Sequence, residues 1–258
     1  MAISYVGSAS NSATTTSFDI DLSTIGLQQN DLVIILLGMV ETADYNLAIT
    51  TAGYTEVADL YGNDSKDCNF GVFYKFMGAS PDTSVTCNTV SVNGNARVGL
   101  AYCFRGVDTS TPLDVTSTTA VGTNTGNPDN PSITPTTAGS VVLALGCGLM
   151  VDDATIVAPT TPEGFTNLAS KKLPDSLNTG VAVAGASLAW TSGAVNPNSW
   201  SGFSTDTGSA WCAVSMALRV APIVGPTNLK TYNTNLKANI KTINTNPIAN
   251  VKSLNTNV

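Results

Sequence analysis

At 258 residues the chain is long enough to bury a substantial core, yet only 11% of its residues are charged. Its net charge of −7 argues against a nucleic-acid partner, because binding to a phosphate backbone requires clustered Lys and Arg. The abundance of Ser, Thr, Asn and Gly favours strands and turns over helices, so we expect an all-β protein.

Short apolar runs between Gly-, Pro- and Asn-rich segments predict many short strands. Residues 17–23 alternate between apolar and polar side chains, which predicts a strand with one buried face. The run from Leu32 to Val40 is apolar on both faces and predicts a central strand, being too short to span a membrane. Further strands are predicted at GYTEVADLY, FGVFYKFMG and RVGLAYCFRGV. This series is typical of a β-sandwich, a jelly roll or a barrel.

The apolar runs recur in the same order about 110 residues later, which predicts an internal duplication. We therefore expect two related jelly-roll-like halves, residues 1–110 and 111–221, as two sandwiches or as parts of one. Residues 108–140 are rich in Thr, Pro and Gly and predict an extended connection, either a linker or an edge strand. The matching pairs, at offsets of 109 to 114, are DLVIILLGMV with SVVLALGCGLMV, GYT with GFT, GVF with GVA, and NARVGLAYCFRGV with SAWCAVSMALRV, which aligns Arg105 with Arg219.

Five cysteines is an odd number, and their spacings match neither a zinc site nor a dense disulfide scaffold. Cys103 and Cys212 lie within apolar runs, where Cys behaves as a small hydrophobic residue. The N-terminal sequence lacks the basic and apolar regions of a signal peptide. We expect buried free thiols in a protein made in a reducing cytoplasm.

Residues 222–258 differ from the rest of the chain in repeat pattern and charge. An 11-residue unit begins at Leu229, recurs at Ile240 and is truncated after Val251, and each copy contains Asn-Thr-Asn. The segment holds four Lys and no acid, whereas residues 1–221 hold seven basic and eighteen acidic side chains, a net charge of −11. The segment has too few apolar residues to form a core alone. It is therefore expected either to stay mobile or to order against other chains. The residues predicted to mediate oligomerisation or anchoring are Leu229, Lys230, Tyr232, Leu236, Ile240, Lys241, Ile243, Ile248, Val251, Lys252 and Leu254.

Signatures of catalysis are missing from the sequence. The chain contains no His, which removes the usual general base and most zinc sites, and it has neither a P-loop nor a G-x-S-x-G elbow. The pairs Asp152–Asp153 and Asp19/Asp21 are candidate Ca²⁺ ligands, although solvated acids on a loop and on the outer face of a strand are the favoured explanation. Trp200, in the polar stretch NPNSWSGFS, is the candidate for an exposed loop aromatic that stacks on a sugar. We predict no enzyme, no cofactor and no bound metal.

The stretch CFRGVDTSTPLDV, the later PSITPTTAGSVVLALG and GFTNLAS, and the closing AWCAVSMALRV resemble a family of uncharacterised proteins from tailed bacteriophages and prophages. The K-T-x-N repeats resemble the C-terminal segments of phage virion proteins. The resemblance implies a protein of the virion surface that is made in the host cytoplasm. It also implies a homo-oligomer, with a trimer favoured, in contact with other virion proteins and without nucleic acid or membrane insertion.

Two functions are compatible with this resemblance. One is a structural protein that decorates or cements a capsid and is attached through the C-terminal repeats. The other is a fibre or tail-associated module that binds a receptor or a host surface glycan. Copy number per particle separates them, because a decoration protein is present in hundreds of copies and a fibre in tens or fewer.

Overall fold

The computed structural model describes residues 2–89, 95–123, 126–150, 153–162, 164–174, 180–204 and 208–222. These ranges contain only strands, turns and irregular segments, which confirms the predicted all-β class. They hold no helical segment of a length and apolarity that would traverse a bilayer. The strands are β1 (Ser4–Ala13), β2 (Ser17–Asp21), β3 (Leu32–Met39), β4 (Ala48–Ile49), β5 (Thr55–Gly62), β6 (Cys68–Phe76), β7 (Ser84–Asn88), β8 (Arg97–Arg105), β9 (Thr118–Gly122), β10 (Val141–Leu149), β11 (Thr166–Leu173), β12 (Val181–Ala189) and β13 (Trp211–Leu218).

The strands form two five-stranded antiparallel sheets and one small sheet. The first sheet has the order β1-β8-β3-β6-β5, and the second has the order β9-β13-β10-β12-β11. The apolar runs at Leu32 and Val141 therefore form the central strands β3 and β10, and every residue of both strands is buried. The small sheet has the order β2-β7-β4.

The second sheet repeats the first in strand order and in register. Adding 109 to the residue numbers of β3, 113 to those of β6 and 114 to those of β8 reproduces the pairing of β10, β12 and β13. Leu32 pairs with Phe76 and Phe104, as Val141 pairs with Ala189 and Leu218. The outer strands β5 and β11 each carry a register shift, at Glu56/Ala58 and at Thr166/Ala169. The two predicted halves thus share one five-stranded arrangement, but the predicted match of GVF with GVA is wrong, because the register aligns Gly71 with Ala184 rather than with Gly180.

The two sheets pack face to face around a shared core, so the halves form one sandwich rather than two. Leu36 and Val98 of the first sheet belong to the same buried cluster as Leu145 and Val183 of the second. The Tyr102 hydroxyl of β8 also donates a hydrogen bond of 2.9 Å to the backbone carbonyl of Asn167. This arrangement decides between the two possibilities that the sequence left open.

The Thr- and Pro-rich connection supplies an edge strand. Residues 118–122 form β9, which pairs with β13 at the edge of the second sheet. The half-buried Trp211 lies directly opposite Gly122, and a side chain at Gly122 would overlap the indole ring. Gly122 thus lets the aromatic ring cover the edge strand.

The small sheet covers the outer face of the first sheet. In β2 the apolar Phe18 and Ile20 are buried while their polar neighbours are exposed, as the alternating pattern predicted. Both side chains pack over Gly99 of β8, where an added Cβ would lie 2.8 Å from Ile20 and 3.0 Å from Phe18. The first sheet is therefore buried on both faces, which explains why β3 is apolar throughout.

Candidate functional site

The eleven residues predicted to mediate oligomerisation or anchoring all lie between positions 229 and 254, outside the described residues. Trp200, the predicted sugar contact, is among the described residues. Of the candidate Ca²⁺ ligands, Asp19, Asp21 and Asp153 are among the described residues, and Asp152 lies outside them.

Trp200 is buried, and the prediction of an exposed loop aromatic is wrong. Only 2% of the residue is exposed. Its indole Nε1 donates a hydrogen bond of 2.7 Å to Oδ1 of the buried Asn130, which in turn donates to the carbonyls of Leu145 and Val214. The ring lies over Gly146 of β10, where an added Cβ would be 3.3 Å from Nε1. Trp200 therefore fastens a surface loop to the second sheet and is not available to a ligand.

The other tryptophans also have structural contacts. The Trp190 indole donates to the carbonyl of Gly193 at 2.9 Å, and Trp211 covers β9. Aromatic sugar sites need an accessible ring face beside hydrogen-bonding side chains. The contacts of all three tryptophans are with the chain itself, so they give no support to a glycan site.

The acidic pairs do not assemble into a cation site within the described ranges. No group of three or more Cys, Asp or Glu residues there has an arrangement that could hold a metal ion. Asp21 accepts a hydrogen bond from the backbone N–H of Ser23, and hydrogen bonds from the side chain and the backbone of Ser23 lower its pKa. Asp153 is exposed and forms a salt bridge of 2.7 Å with Lys172. These contacts correspond to the alternative reading of the acids as surface groups.

Arg105, at the end of β8, forms a structural ion pair. Its Nε and a terminal nitrogen donate to the two carboxylate oxygens of Asp31, both at 2.7 Å. Asp31 is fully buried, whereas the Arg105 side chain is 36% exposed. The fork geometry fixes the start of β3 to the end of β8.

A second arginine is buried inside the first half. Arg97 lies 3.9 Å from the carboxylate of Glu41 and donates hydrogen bonds to Thr89 and to the carbonyl of Asn95. Desolvation lowers the pKa of this guanidinium, and the Glu41 carboxylate opposes that change. A buried charge with several partners holds neighbouring segments together, so this arginine also has a structural explanation.

An open groove of about 530 Å³ lies between β5 and residues 113–117. Glu56, Tyr74 and Asp114 line it. One oxygen of Asp114 accepts hydrogen bonds from the backbone N–H groups of Thr136 and Thr137. Burial acts to raise the pKa of Asp114, but these hydrogen bonds outweigh it and lower the pKa. Asp114 is thus an ionised carboxylate that organises a turn, which is unsuitable for a general acid.

Three of the five cysteines converge between the sheets, an arrangement that the sequence did not predict. All five are buried free thiols, as expected. Cys147 and Cys212 are paired neighbours on β10 and β13, and the Sγ atom of Cys68 on β6 lies 3.5 Å from that of Cys212. Cys68 and Cys212 are 144 positions apart, so their meeting depends on how the two sheets pack.

Within the described residues, the contacts of Arg97, Arg105, Asp114 and the three clustered cysteines are all with the chain itself. Comparison with protein-family models, with curated proteins and with solved structures returned no significant match.

Proposed function

We propose that the chain is a structural protein of a tailed-bacteriophage virion, a capsid decoration or other surface protein. Residues 222–258 would anchor it or join it to further copies. The observation that supports the proposal most is the division of the chain into a self-contained acidic sandwich and a basic repetitive segment.

The sandwich ends as a compact unit at Pro222. Near its end the backbone N–H of Ala221 donates to the carbonyl of Gly106 at 2.8 Å, and Val220 bridges to Val107. Gly106 has a φ of +86° and packs against the carbonyl of Ala2, so the first and last described residues meet at one end of the sandwich. Residues 2–222 thus contain both sheets complete with the strands that pair in them, and the repeats follow them in the chain.

Charge gives the repeats a docking preference. The repeats carry +4 and the preceding 221 residues carry −11, so the segment would be attracted to another copy of the sandwich. Exposed carboxylates such as Asp19, Asp21 and Glu56 are suitable partners for its lysines. The glycan-binding alternative is less well supported, because Trp200, the candidate sugar contact, is buried.

Truncation after Pro226 tests the proposal. The shortened chain should keep the far-ultraviolet circular dichroism of the sandwich and sediment with the mass of one chain, whereas the full chain should sediment as an oligomer. A full chain that is monomeric, or a truncated chain that keeps the oligomeric mass, overturns the proposal.

Two triple variants separate the apolar repeat positions from the mere presence of the segment. Replacing Leu229, Ile240 and Val251 with Ser should dissociate the oligomer. The matched control, which replaces the neighbouring polar positions Thr231, Thr242 and Ser253 with Ala, should sediment like the parent chain. Quantitative mass spectrometry of phage particles that contain the protein then counts copies, with hundreds expected for a decoration protein.

A further inference from the structure

The thiol cluster lies beside a place where backbone hydrogen bonds join the two halves directly. Facing sheets are usually separated by about 10 Å, which is too far for a disulfide, since that bond needs Cα atoms within about 7 Å. Here the segment before β6 pairs in parallel with the segment before β13. The backbone N–H of Ala210 donates to the carbonyl of Lys66 at 2.8 Å, and that of Lys66 donates to the carbonyl of Gly208 at 3.0 Å.

Cys68 and Cys212 each follow this contact by two residues. Their Sγ atoms are 3.5 Å apart, and the Cys212 Sγ lies 3.8 Å from the backbone carbonyl of Cys68. Gly62 makes the approach possible, because an added Cβ would lie 3.0 Å from Ala210 and 3.3 Å from the Cys68 Sγ. The two thiols thus face each other beside this backbone contact, close enough to form a disulfide after a small movement of the side chains.

We propose that Cys68 and Cys212 form a disulfide when the protein meets a peroxide, so that oxidation links the two sheets covalently. The inference concerns the sandwich alone and does not depend on the proposed function. It adds an oxidation site to a protein whose five thiols are free in the structure.

The reaction balances with hydrogen peroxide as the oxidant. The Cys68 thiolate attacks one peroxide oxygen, the O–O bond breaks, and Cys68 becomes a sulfenic acid while hydroxide leaves and takes up the thiol proton as water. The Cys212 sulfur then attacks the Cys68 sulfur, the S–O bond breaks and a second water leaves with the Cys212 proton. Two thiols and one peroxide give one disulfide and two waters.

The surroundings assign the first step to Cys68. Hydrogen bonds from the Cys147 and Cys212 thiols lower the pKa of Cys68. The pKa of Cys147 is raised, mainly by desolvation, and that of Cys212 is raised by its hydrogen bond to Cys68 and by desolvation. Gly62 and Cys68 close the β5–β6 turn, in which Asn63 and Ser65 are exposed, so the buried Cys68 lies next to a turn that contacts the solvent.

The disulfide would close a loop of 144 residues that spans both halves. A cross-link over so long a loop restricts the unfolded chain strongly while demanding little movement in the folded one. We expect the unfolding midpoint of the oxidised protein to rise by roughly 5 to 15 °C.

The test treats the full chain with hydrogen peroxide, removes the excess, and counts thiols after denaturation. The count should fall from five to three, the midpoint should rise, and peptide mapping should join the peptides containing Cys68 and Cys212. Cys68→Ala and Cys212→Ala should each abolish the cross-link and the rise. Cys87→Ala, which removes a buried thiol from another cluster, should leave both unchanged.

Three outcomes overturn the inference. They are a count that stays at five under conditions that oxidise free Cys in the unfolded chain, a cross-link that joins Cys147 to either neighbour, and a cross-linked protein with an unchanged or lower midpoint. Peptide mapping of the parent chain decides among them even if a Cys→Ala variant does not fold.

Discussion

Gly38 of β3 offers a direct test of the packing between the two halves. A Cβ added at this position would lie 2.7 Å from a methyl group of Val183 and 2.9 Å from the Sγ of Cys147. Both neighbours belong to the second sheet, and carbon atoms normally approach no closer than about 3.5 Å. Gly38→Ala therefore forces the sheets apart or distorts two buried side chains.

The expected cost follows from the number of tight contacts. Inserting one methyl group into a packed core costs about 1–3 kcal/mol, and two simultaneous overlaps favour the upper half, about 2–3 kcal/mol. Val183→Ala alone should cost about 2 kcal/mol through the cavity that it leaves. In the double variant the new methyl group enters that cavity. The loss of stability in the double variant should therefore be about 2 kcal/mol smaller than the sum of the two single losses.

Urea unfolding of the parent chain, the two single variants and the double variant measures this coupling. Gly78→Ala is the matched control, because nothing lies within 4 Å of its added Cβ, and its change should stay within about 0.5 kcal/mol. Strictly additive losses for Gly38→Ala and Val183→Ala would refute the face-to-face packing of the halves, since the residues would then not touch.

Two further predictions concern single side chains. Trp200→Phe should cost about 1–2 kcal/mol in urea unfolding, because it removes the indole donor to the buried Asn130. The control Trp190→Phe removes a hydrogen bond to a surface carbonyl and should change the free energy of unfolding by less than about 0.5 kcal/mol. Equal losses in the two variants would contradict the structural role of Trp200. Desolvation raises the pKa of Asp59 to about 6 from an ordinary 3.8, so its ionisation opposes folding as pH rises from about 4 through 6. Asp59→Asn should accordingly raise the unfolding midpoint at pH 7.5 and leave it unchanged at pH 3.5, and a lower midpoint at pH 7.5 would reverse the sign of this reasoning.

The sequence predicted the strands and their duplication because both depend on local apolar patterns. The runs at β3 and β10 are apolar at consecutive positions, which identifies strands buried on both faces. The offsets of the runs at β3, β5 and β8 reflect shared register, since inserting a single residue within a strand would turn its side chains to the other face. The GVF match does not, because β6 corresponds to β12 at an offset of 113 rather than 109. The edge strand β9 carries a weaker pattern, Thr-Thr-Ala-Val-Gly, and the sequence left its assignment open.

Features that depend on distant partners were beyond the sequence. Trp200 lies in a polar stretch that looks like an exposed loop, yet its buried indole donates a hydrogen bond to Asn130, 70 positions away. Cys68 and Cys212 meet because of a parallel contact at one corner of the sandwich. No local pattern encodes either contact, since the first requires a loop to be packed on the second sheet and the second requires the two sheets to be packed on each other.

The starts of the two central strands share one backbone turn but differ in the side chain that follows it. The N–H of Asp31 donates to the carbonyl of Gln28 at 3.1 Å, and the N–H of Ser140 donates to the carbonyl of Thr137 at 3.1 Å. A residue with positive φ precedes each, at 69° for Asn30 and 86° for Gly139. The backbone turn is thus the same in both halves, and the side chain alone differs.

That difference predicts opposite outcomes for the same substitution. Asp31 accepts hydrogen bonds from the N–H of Gln28 and from Arg105, whereas the buried Oγ of Ser140 has no hydrogen-bond partner within the described residues. Asp31→Ala should cost about 2–3 kcal/mol, less than the roughly 3–5 kcal/mol typical of a broken buried pair, because the partly exposed guanidinium of Arg105 can be rehydrated. Ser140→Ala should be neutral or stabilising by up to about 0.5 kcal/mol, since it removes a polar atom that was desolvated without compensation. Urea unfolding of both variants measures the contrast, and similar losses would show that the turn itself, rather than the ion pair, holds the first central strand.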